Sequence, residues 1–197
     1  AGALKNLATM IGDSIRFWHE MYKHPNYDAW WQARNVRVGL YNIKPAVLWV
    51  GGLFDAEDCW GAWNSYKAAE LQSPKTNNKI VMGPWYHGQW SREGSYLGNI
   101  RFESNTSDHF QKNIEIPFFN YHLKNKGTVD GISEANIFFT GENSWKQFTV
   151  WPPENVEFRN LYSHPGNKIS FDISANGFDE YLSDPAHPVP YTEDVHN

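Results

Sequence analysis

Two short apolar runs, each ending in glycine, constrain the fold of this chain more than any other feature. The first, PAVLWVGG, occupies residues 45–52, and the second, KIVMG, occupies residues 79–83. Near-continuous apolar runs of this length are typical of strands that are buried on both faces of a parallel sheet. Between them, Trp60, Trp63 and Tyr66 recur at helical spacing. The pattern therefore predicts a strand–helix–strand unit with a right-handed crossover.

Helical patterns lie on both sides of this unit. Near the start, Ile15, Trp18 and Met21 recur at helical spacing, and Asp13 is a candidate N-cap. After the second strand, residues 107–124 have a helical pattern that should break or restart at Pro117.

The character of the chain changes near residues 126–134, where we predict a domain boundary. Beyond it, the run ANIFFTGENSWKQFTVWPP contains two short β-type segments around a Gly-Glu-Asn turn. The segments NLYSH and KISFDI follow at a spacing typical of a β-sandwich.

Composition excludes several classes of partner and site. The 197 residues include 17 basic and 22 acidic side chains, a net charge of -5, which argues against nucleic acid or an anionic membrane surface as a partner. There is no apolar run of about 18 residues that could span a membrane. The single Cys59 excludes an internal disulfide and a cysteine-rich zinc site, and the eight histidines form no metal-binding spacing.

An acid and a histidine follow the two predicted strands. Asp55 comes just after the first strand, and His87 just after the second. Catalytic groups in open α/β sheets lie at the carboxyl ends of the strands, so the two side chains could meet and form an Asp–His pair. Their order along the chain is that of an α/β-hydrolase. The alternative is that Asp55 caps the next helix and that His87 is a surface residue of a loop.

Three carboxylates are clustered at the predicted helix start. Asp55, Glu57 and Asp58 fall within four positions. Acids favour the positive end of a helix, so capping alone could explain them. Three together also repel each other unless a cation is near, which suggests a pocket for a substrate ammonium group. Calcium is a weaker alternative, because the alternating oxygen ligands of a calcium loop are missing.

The sequence contains no convincing nucleophile. Ser95, in EGSYLG, is the nearest match to a nucleophile elbow, but Glu93 stands where a glycine would permit the tight turn. Ser95 also follows His87 in the chain, which is the wrong order. Neighbouring acids would suppress the thiolate of Cys59, which we interpret as a packing residue.

The segments VGGLFDAEDCWGAWNSYK and IVMGPWYHGQW resemble the CocE/NonD serine hydrolases. This family includes cocaine-esterase-like enzymes, X-Pro dipeptidyl-peptidases, α-amino-acid ester hydrolases and glutaryl-7-aminocephalosporanic acid acylases, and the α-amino-acid ester hydrolase branch is the most similar. HPNYDAWWQARN resembles a cap segment, and IPFFNYHLKNKG resembles the helix that leaves the catalytic domain. FFTGENSWKQFTVWPP and FDEYLSDPAHPVPY resemble the opening of the family's C-terminal jelly-roll domain.

The resemblance implies roles for four residues. Asp55 is similar to the acid and His87 to the base of a catalytic triad, while Glu57 and Asp58 are similar to carboxylates that bind the substrate's α-ammonium group. The family's serine elbow and oxyanion-hole tyrosine have no counterpart in residues 1–54, so the chain is expected to be a piece of a larger hydrolase that lacks the nucleophile.

The resemblance also implies an α/β fold in three parts. The expected parts are a helical cap segment at residues 1–43, the C-terminal portion of an α/β-hydrolase domain at residues 44–128, and the beginning of a β jelly-roll domain at residues 129–197. The expected substrate is a small ester or amide, such as an α-amino acyl or β-lactam-type compound, that is cleaved through an acyl-enzyme without cofactor or metal. The missing N-terminal part of the same protein is the expected partner, with a homo-oligomer as a further possibility.

Other activities remain open at this point. X-Pro dipeptidyl-peptidase or cocaine-esterase-like activity fits the same motifs. A non-catalytic module that binds carbohydrate or peptide would use the many tryptophans, of which there are ten. Related enzymes are often exported, so the resemblance suggests a periplasmic or secreted protein, although no signal peptide is evident.

Overall fold

A computed structural model describes residues 6–12 and 14–189, and its centre is a mixed four-stranded sheet. The strands of the described residues are β1 (Val47–Gly52), β2 (Asn78–Gly83), β3 (Tyr96–Leu97), β4 (Ile100–Arg101), β5 (Ala135–Phe139), β6 (Ser144–Phe148), β7 (Tyr162–His164) and β8 (Lys168–Ser170). The central sheet has the order β1–β2–β5–β6, and the pairs β3–β4 and β7–β8 are separate hairpins.

Helices lie on both faces of the central sheet and along the segment before β1. They are α1 (Leu7–Ile11), α2 (Arg16–Lys23), α3 (Ala29–Gln32), α4 (Cys59–Gln72), α5 (Thr106–Phe110) and α6 (Ile116–Lys124). Short 3₁₀ turns occur at Val36–Gly39 and Gln89–Ser91. Within the described part of the chain, no helix has the length and apolar character needed to cross a bilayer.

The predicted strand–helix–strand unit is confirmed. β1 and β2 pair in parallel, from Val47 opposite Asn78 to Gly52 opposite Gly83. α4 packs against both strands, as the helical spacing of its aromatic residues predicts. The carboxyl ends of the two strands are therefore in register at one edge of the sheet.

A second crossover, through α5 and α6, leads from β2 to β5. The predicted break at Pro117 is instead a π turn at residues 111–115 that joins α5 to α6. Ile116 N donates to Gln111 O, five residues back, and Pro117 follows in the first turn of α6. Proline has no N–H to donate, so a wider turn just before it lets the helix continue.

The first strands after residue 129 belong to the central sheet. β5 pairs in parallel with β2, with Ile80 opposite Ala135, and β6 pairs antiparallel with β5. The expectation of a separate sandwich that begins at residue 129 is therefore incorrect for residues 135–148. Four of the five residues of β5 are buried, which is typical of an inner strand, and β6 adds an antiparallel edge.

The predicted strands in NLYSH and KISFDI form the β7–β8 hairpin, where Tyr162 lies opposite Ser170. The described residues contain a single hairpin there and no jelly roll. The predicted N-cap Asp13 lies outside the described residues, and Ile15 occupies the N-cap position of α2.

The segment before β1 is helical and packs on α4. Asp28 caps α3 through a hydrogen bond from Trp30 N. Gln72 Nε2 donates to Arg37 O at 2.8 Å, and the Arg37 guanidinium lies over the ring of Trp60 at 4.4 Å.

The core has two parts, one on each face of the sheet. On the α4 side, Tyr66 packs with Ile80, Met82 and Ile137. On the α5–α6 side lie Val81, Trp85, Phe110, Ile114, Phe118 and Ile132. Because successive strand residues point to opposite faces, β2 contributes to both parts.

Two glycines at the strand ends accommodate Trp85. A Cβ on Gly52 would lie 2.1 Å from Trp85 O, and a Cβ on Gly83 would lie 2.4 Å from the Trp85 ring. Trp85 is fully buried. The Trp85 backbone at Gly52 and the Trp85 ring at Gly83 therefore require residues without a side chain at both strand ends.

We expect Gly52→Ala to destabilise the intact protein by about 1–3 kcal/mol, because the added methyl must displace the Trp85 backbone. Thermal unfolding of the two variants Gly52→Ala and Gly131→Ala measures the effect. Gly131 is the control, since no heavy atom lies within 4 Å of a Cβ built there. Equal melting temperatures for both variants would contradict the expectation.

Candidate active site

The loops that follow β1 and β2 are joined by backbone hydrogen bonds. Leu53 N donates to Gly83 O at 2.8 Å, and Phe54 N donates to Trp85 O at 3.1 Å. These bonds extend the parallel pairing beyond the two strands. They hold Asp55 in one loop beside His87 in the other.

Asp55 uses its two carboxylate oxygens for different purposes. Oδ1 accepts hydrogen bonds from Glu57 N at 2.9 Å and Asp58 N at 3.0 Å, so it caps the turn that leads into α4. Oδ2 lies 2.9 Å from His87 Nδ1. The side chain of Asp55 is 1% exposed. The capping and the histidine-pairing interpretations of Asp55 are therefore compatible.

The environment stabilises the charged forms of both partners. Burial raises the pKa of Asp55, but hydrogen bonds from Asp58 N, His87 and Glu57 N outweigh it, and the net pKa is lowered. The hydrogen bond to Asp55 raises the pKa of His87, and the charges of Asp55, Glu57 and Asp58 add to this effect. The pair is thus suited to hold a proton on the imidazole.

His87 presents its second nitrogen away from Asp55. Its side chain is 52% exposed, and the ring meets the edge of Trp90 at 5.7 Å between centroids. Gly88 follows in a left-handed conformation, with φ of 80°, which turns the chain sharply after the histidine. A Nδ1–H donated to Asp55 leaves Nε2 as a proton acceptor.

Glu57 is the carboxylate nearest to that nitrogen. Its Oε2 lies 3.8 Å from His87 Nε2, and its side chain is largely exposed. Asp58 is exposed at the start of α4, and among the described residues no hydrogen bond reaches its carboxylate. A Cβ on Gly61 would lie 1.8 Å from Asp58 Oδ1, so the carboxylate folds back over its own helix. The structure brings Asp55, Glu57 and His87 together and leaves Asp58 beside them.

Ser95 and Cys59 do not complete the pair. Within residues 6–12 and 14–189, no serine hydroxyl is hydrogen-bonded to His87, and Ser95 N donates instead to Glu93 Oε1. Burial raises the pKa of the Cys59 thiol, as does the charge of Asp55. Cys59 packs against the α4 side of the core. The same described residues contain no group of three or more histidine, cysteine, aspartate or glutamate side chains that could hold a metal ion.

Sequence reasoning missed three residues around His87. Gln89 is 2% exposed and makes hydrogen bonds within the histidine loop. Phe54 and Tyr86, which directly precede Asp55 and His87, are 42% and 39% exposed. For Phe54 and Tyr86, the available sequence signal is an aromatic residue directly before Asp55 and before His87. For Gln89 there is no such signal, because its burial depends on the tertiary fold.

The arrangement has the chemistry of a general base. An aspartate that accepts the Nδ1 proton fixes the tautomer of the imidazole and stabilises the imidazolium ion that forms when Nε2 takes a proton.

Comparisons with known proteins find similar hydrolases. The family model of the X-Pro dipeptidyl-peptidase (S15 family) matches residues 2–89, which include Asp55 and His87. The cocaine esterase of Rhodococcus sp. (strain MB1 Bresler) is 24% identical over 187 residues, which cover 87% of this chain and 31% of the esterase. A solved α-amino acid ester hydrolase is 35% identical, with a TM-score of 0.85, and the match covers 96% of this chain and 33% of that one. Together these matches support membership of this chain in the CocE/NonD hydrolase family.

A second solved structure extends the range of similar CocE/NonD proteins. The aminopeptidase from a marine sediment Thaumarchaeota archaeon is 37% identical, with a TM-score of 0.85, over 95% of this chain and 31% of the aminopeptidase. The chain therefore spans about a third of the length of the relatives that it matches.

We expect Asp55→Asn to lower the pKa of His87 towards its ordinary value, because the substitution removes the charge and the acceptor that raise it. The pH dependence of diethyl pyrocarbonate modification at His87, followed by mass spectrometry, measures this pKa in the intact protein. Asp28→Asn is the control, since Asp28 pairs with His24 instead. A His87 midpoint that is unchanged in Asp55→Asn would contradict the expectation.

Proposed function

We propose that the protein is a serine hydrolase that cleaves ester or amide bonds through an acyl-enzyme, and that this chain supplies its base and its acid. The observation that carries the proposal is the 2.9 Å contact between His87 Nδ1 and the buried Asp55 carboxylate, made at the aligned ends of two parallel strands. A part of the whole protein outside these 197 residues would supply the nucleophile.

The proposed reaction has two halves. His87 Nε2 takes the proton of the serine hydroxyl as its oxygen attacks the substrate carbonyl, and Asp55 stabilises the imidazolium. The tetrahedral intermediate collapses, and His87 returns the proton to the departing alcohol or amine, which leaves an acyl-enzyme. His87 then deprotonates a water molecule that attacks the acyl group, and the proton passes to the serine as the acid is released. No metal or organic cofactor takes part.

The proposal includes the finer domain assignment. Residues 44–128 together with β5 and β6 are the C-terminal portion of an α/β-hydrolase domain. Its boundary then falls after β6 rather than at residue 129. The β7–β8 hairpin and the chain after it are the beginning of the jelly-roll domain. The support is that β5 and β6 lie in the central sheet, whereas β7 and β8 do not.

The proposed substrates carry a free α-amino group. Glu57 places an exposed carboxylate 3.8 Å from His87 Nε2, the nitrogen that would take the serine proton, and Asp58 adds a second exposed carboxylate at the start of α4. An ammonium group next to the scissile bond would lie within reach of them. Similar proteins described as an aminopeptidase and an α-amino acid ester hydrolase support this substrate class.

Two activities fit the same site. Esters of α-amino acids and peptides with a free amino terminus share the ammonium group and differ in the leaving group. The X-Pro dipeptidyl-peptidase match favours the peptide, and the ester hydrolase match favours the ester. Phe54 and Tyr86, which directly precede Asp55 and His87 in the chain, are exposed aromatic residues, so we propose that the site prefers apolar or aryl acyl groups.

We expect His87→Gln to lower kcat of the intact protein by about 10⁴-fold or more, because the reaction loses its proton acceptor. Hydrolysis of an activated aryl ester, with the melting temperature measured in parallel, checks this expectation. His109→Gln is the control, since His109 is stacked on Trp145 instead. Full turnover by a folded His87→Gln variant would refute the proposed function.

We expect Glu57→Gln to lower kcat/KM for α-amino acid esters by about 10-fold, because one charged contact to the ammonium group is lost at a partly solvated position. The methyl esters of phenylglycine and phenylacetic acid, which differ by the amino group, make the comparison. Asp130→Asn is the control, as Asp130 precedes β5 and lies at the opposite edge of the sheet. An equal effect on both esters would contradict the ammonium site.

A further inference from the structure

We propose that Gln89 is a positioning residue for His87: its side chain fixes the backbone on both sides of the histidine and thereby sets the contact with Asp55. The inference rests on the proposed hydrolase function for its kinetic consequences. The structural part of the inference does not depend on that function, because it rests on the hydrogen bonds of one buried amide.

The first part of the argument is a clamp on Tyr86, the residue before His87. Tyr86 N donates to Gln89 Oε1 at 3.1 Å, and Gln89 N donates to Tyr86 O at 3.0 Å. Gln89 therefore binds both backbone groups of Tyr86. Only His87 and the left-handed Gly88 lie between the two residues, so the clamp closes a tight turn around the histidine.

The second part is the use of the remaining amide hydrogens. Gln89 Nε2 donates to Glu93 O at 2.9 Å and to Tyr96 O at 2.8 Å. Glu93 lies in the segment that leads into the β3–β4 hairpin, and Tyr96 is the first residue of β3. The amide thus ties the turn that carries His87 to the chain that follows it.

The third part is the anchor to the helical layer. Gln89 O accepts a hydrogen bond from Ser107 Oγ at 2.8 Å, and Ser107 is fully buried in α5. The next residue towards the N-terminus, Thr106, accepts a hydrogen bond from Trp85 Nε1 at 2.9 Å. The clamp is consequently fixed to the core beneath the site.

The exposure of His87 explains why this clamp matters. Half of the histidine side chain is exposed, and its described neighbours are Asp55, Glu57 and the edge of Trp90. Few atoms restrain the ring itself, so the backbone decides where Nδ1 lies. A shift of about 1 Å at a catalytic group is enough to cost about 100-fold in rate.

A glutamine is the side chain that fits these partners. Its one acceptor meets an N–H, and its two donors meet two carbonyl oxygens. Glutamate keeps the acceptor but turns oxygen towards two carbonyl oxygens. Methionine has a similar length and forms none of the three bonds.

The test compares Gln89→Met and Gln89→Glu in the intact protein, with Gln72→Met as a matched control. Gln72 also donates its amide to a backbone carbonyl, Arg37 O at 2.8 Å, at the far end of α4 from the site. We expect kcat to fall about 100-fold in both Gln89 variants with little change in KM. The control should retain wild-type kinetics. Active-site titration gives the concentration of folded, active molecules, and the rates are divided by that concentration.

A second readout separates positioning from general stability. The carboxylates of Asp55, Glu57 and Asp58 raise the pKa of His87, with the hydrogen bond to Asp55 as the largest cause. Loosening of that bond should lower the midpoint of diethyl pyrocarbonate modification at His87. The acid limb of kcat/KM should move to lower pH in the same variants.

The outcomes are distinguishable. A reduced melting temperature with unchanged kcat and an unchanged His87 midpoint would overturn the positioning role. Gln89→Asn, which keeps the amide but is too short to reach all three partners, gives the same comparison if the other variants do not fold. If the wild-type protein hydrolyses nothing, the proposed function fails. The His87 midpoint in the Gln89 variants still decides whether Gln89 positions the histidine.

Discussion

The parallel register between β1 and β2 is the constraint on which the rest of the site depends. Gly52 lies opposite Gly83, so the two strands end together. Backbone hydrogen bonds from Leu53 and Phe54 then carry the pairing into the loops. A slip of one residue in this register would turn the side chains of a strand to the opposite face and separate Asp55 from His87. Gly52 lets the backbone of Trp85 approach closely enough for the bond from Phe54 to form, and Gly83 leaves room for the Trp85 ring.

Asp55 shows how one buried carboxylate can serve folding and chemistry together. One oxygen satisfies two backbone N–H groups at the turn into α4, and the other faces His87. The capping bonds fix the carboxylate in place, so the pairing with the imidazole requires little further ordering. The stability that the Asp55–His87 pair contributes depends on pH. The raised pKa of His87 adds stability that is lost as pH rises through it, and the lowered pKa of Asp55 adds stability that is lost as pH falls through it.

The features that sequence could predict are those set by local pattern. The apolar runs specify β1 and β2, and the strand ends then place Asp55 and His87 without further information. The sequence pattern predicts a separate sandwich for β5, because its partner β2 is more than fifty residues away and no local signal identifies a strand's neighbour. The same limit applies to Gln89. Its burial results from contacts with Tyr96 and Ser107, which only the tertiary fold brings to it.

The open side of His87 constrains what the whole enzyme can accept under the proposed function. Asp55 occupies the Nδ1 side, so nucleophile and substrate must both approach Nε2. Glu57 lies 3.8 Å from that nitrogen. An ammonium group that pairs with Glu57 is therefore held within a few bonds of the carbonyl under attack. Under the proposed function, Glu57 would bind the substrate ammonium group, and its charge also raises the pKa of His87. The same carboxylate would therefore influence both substrate binding and proton transfer.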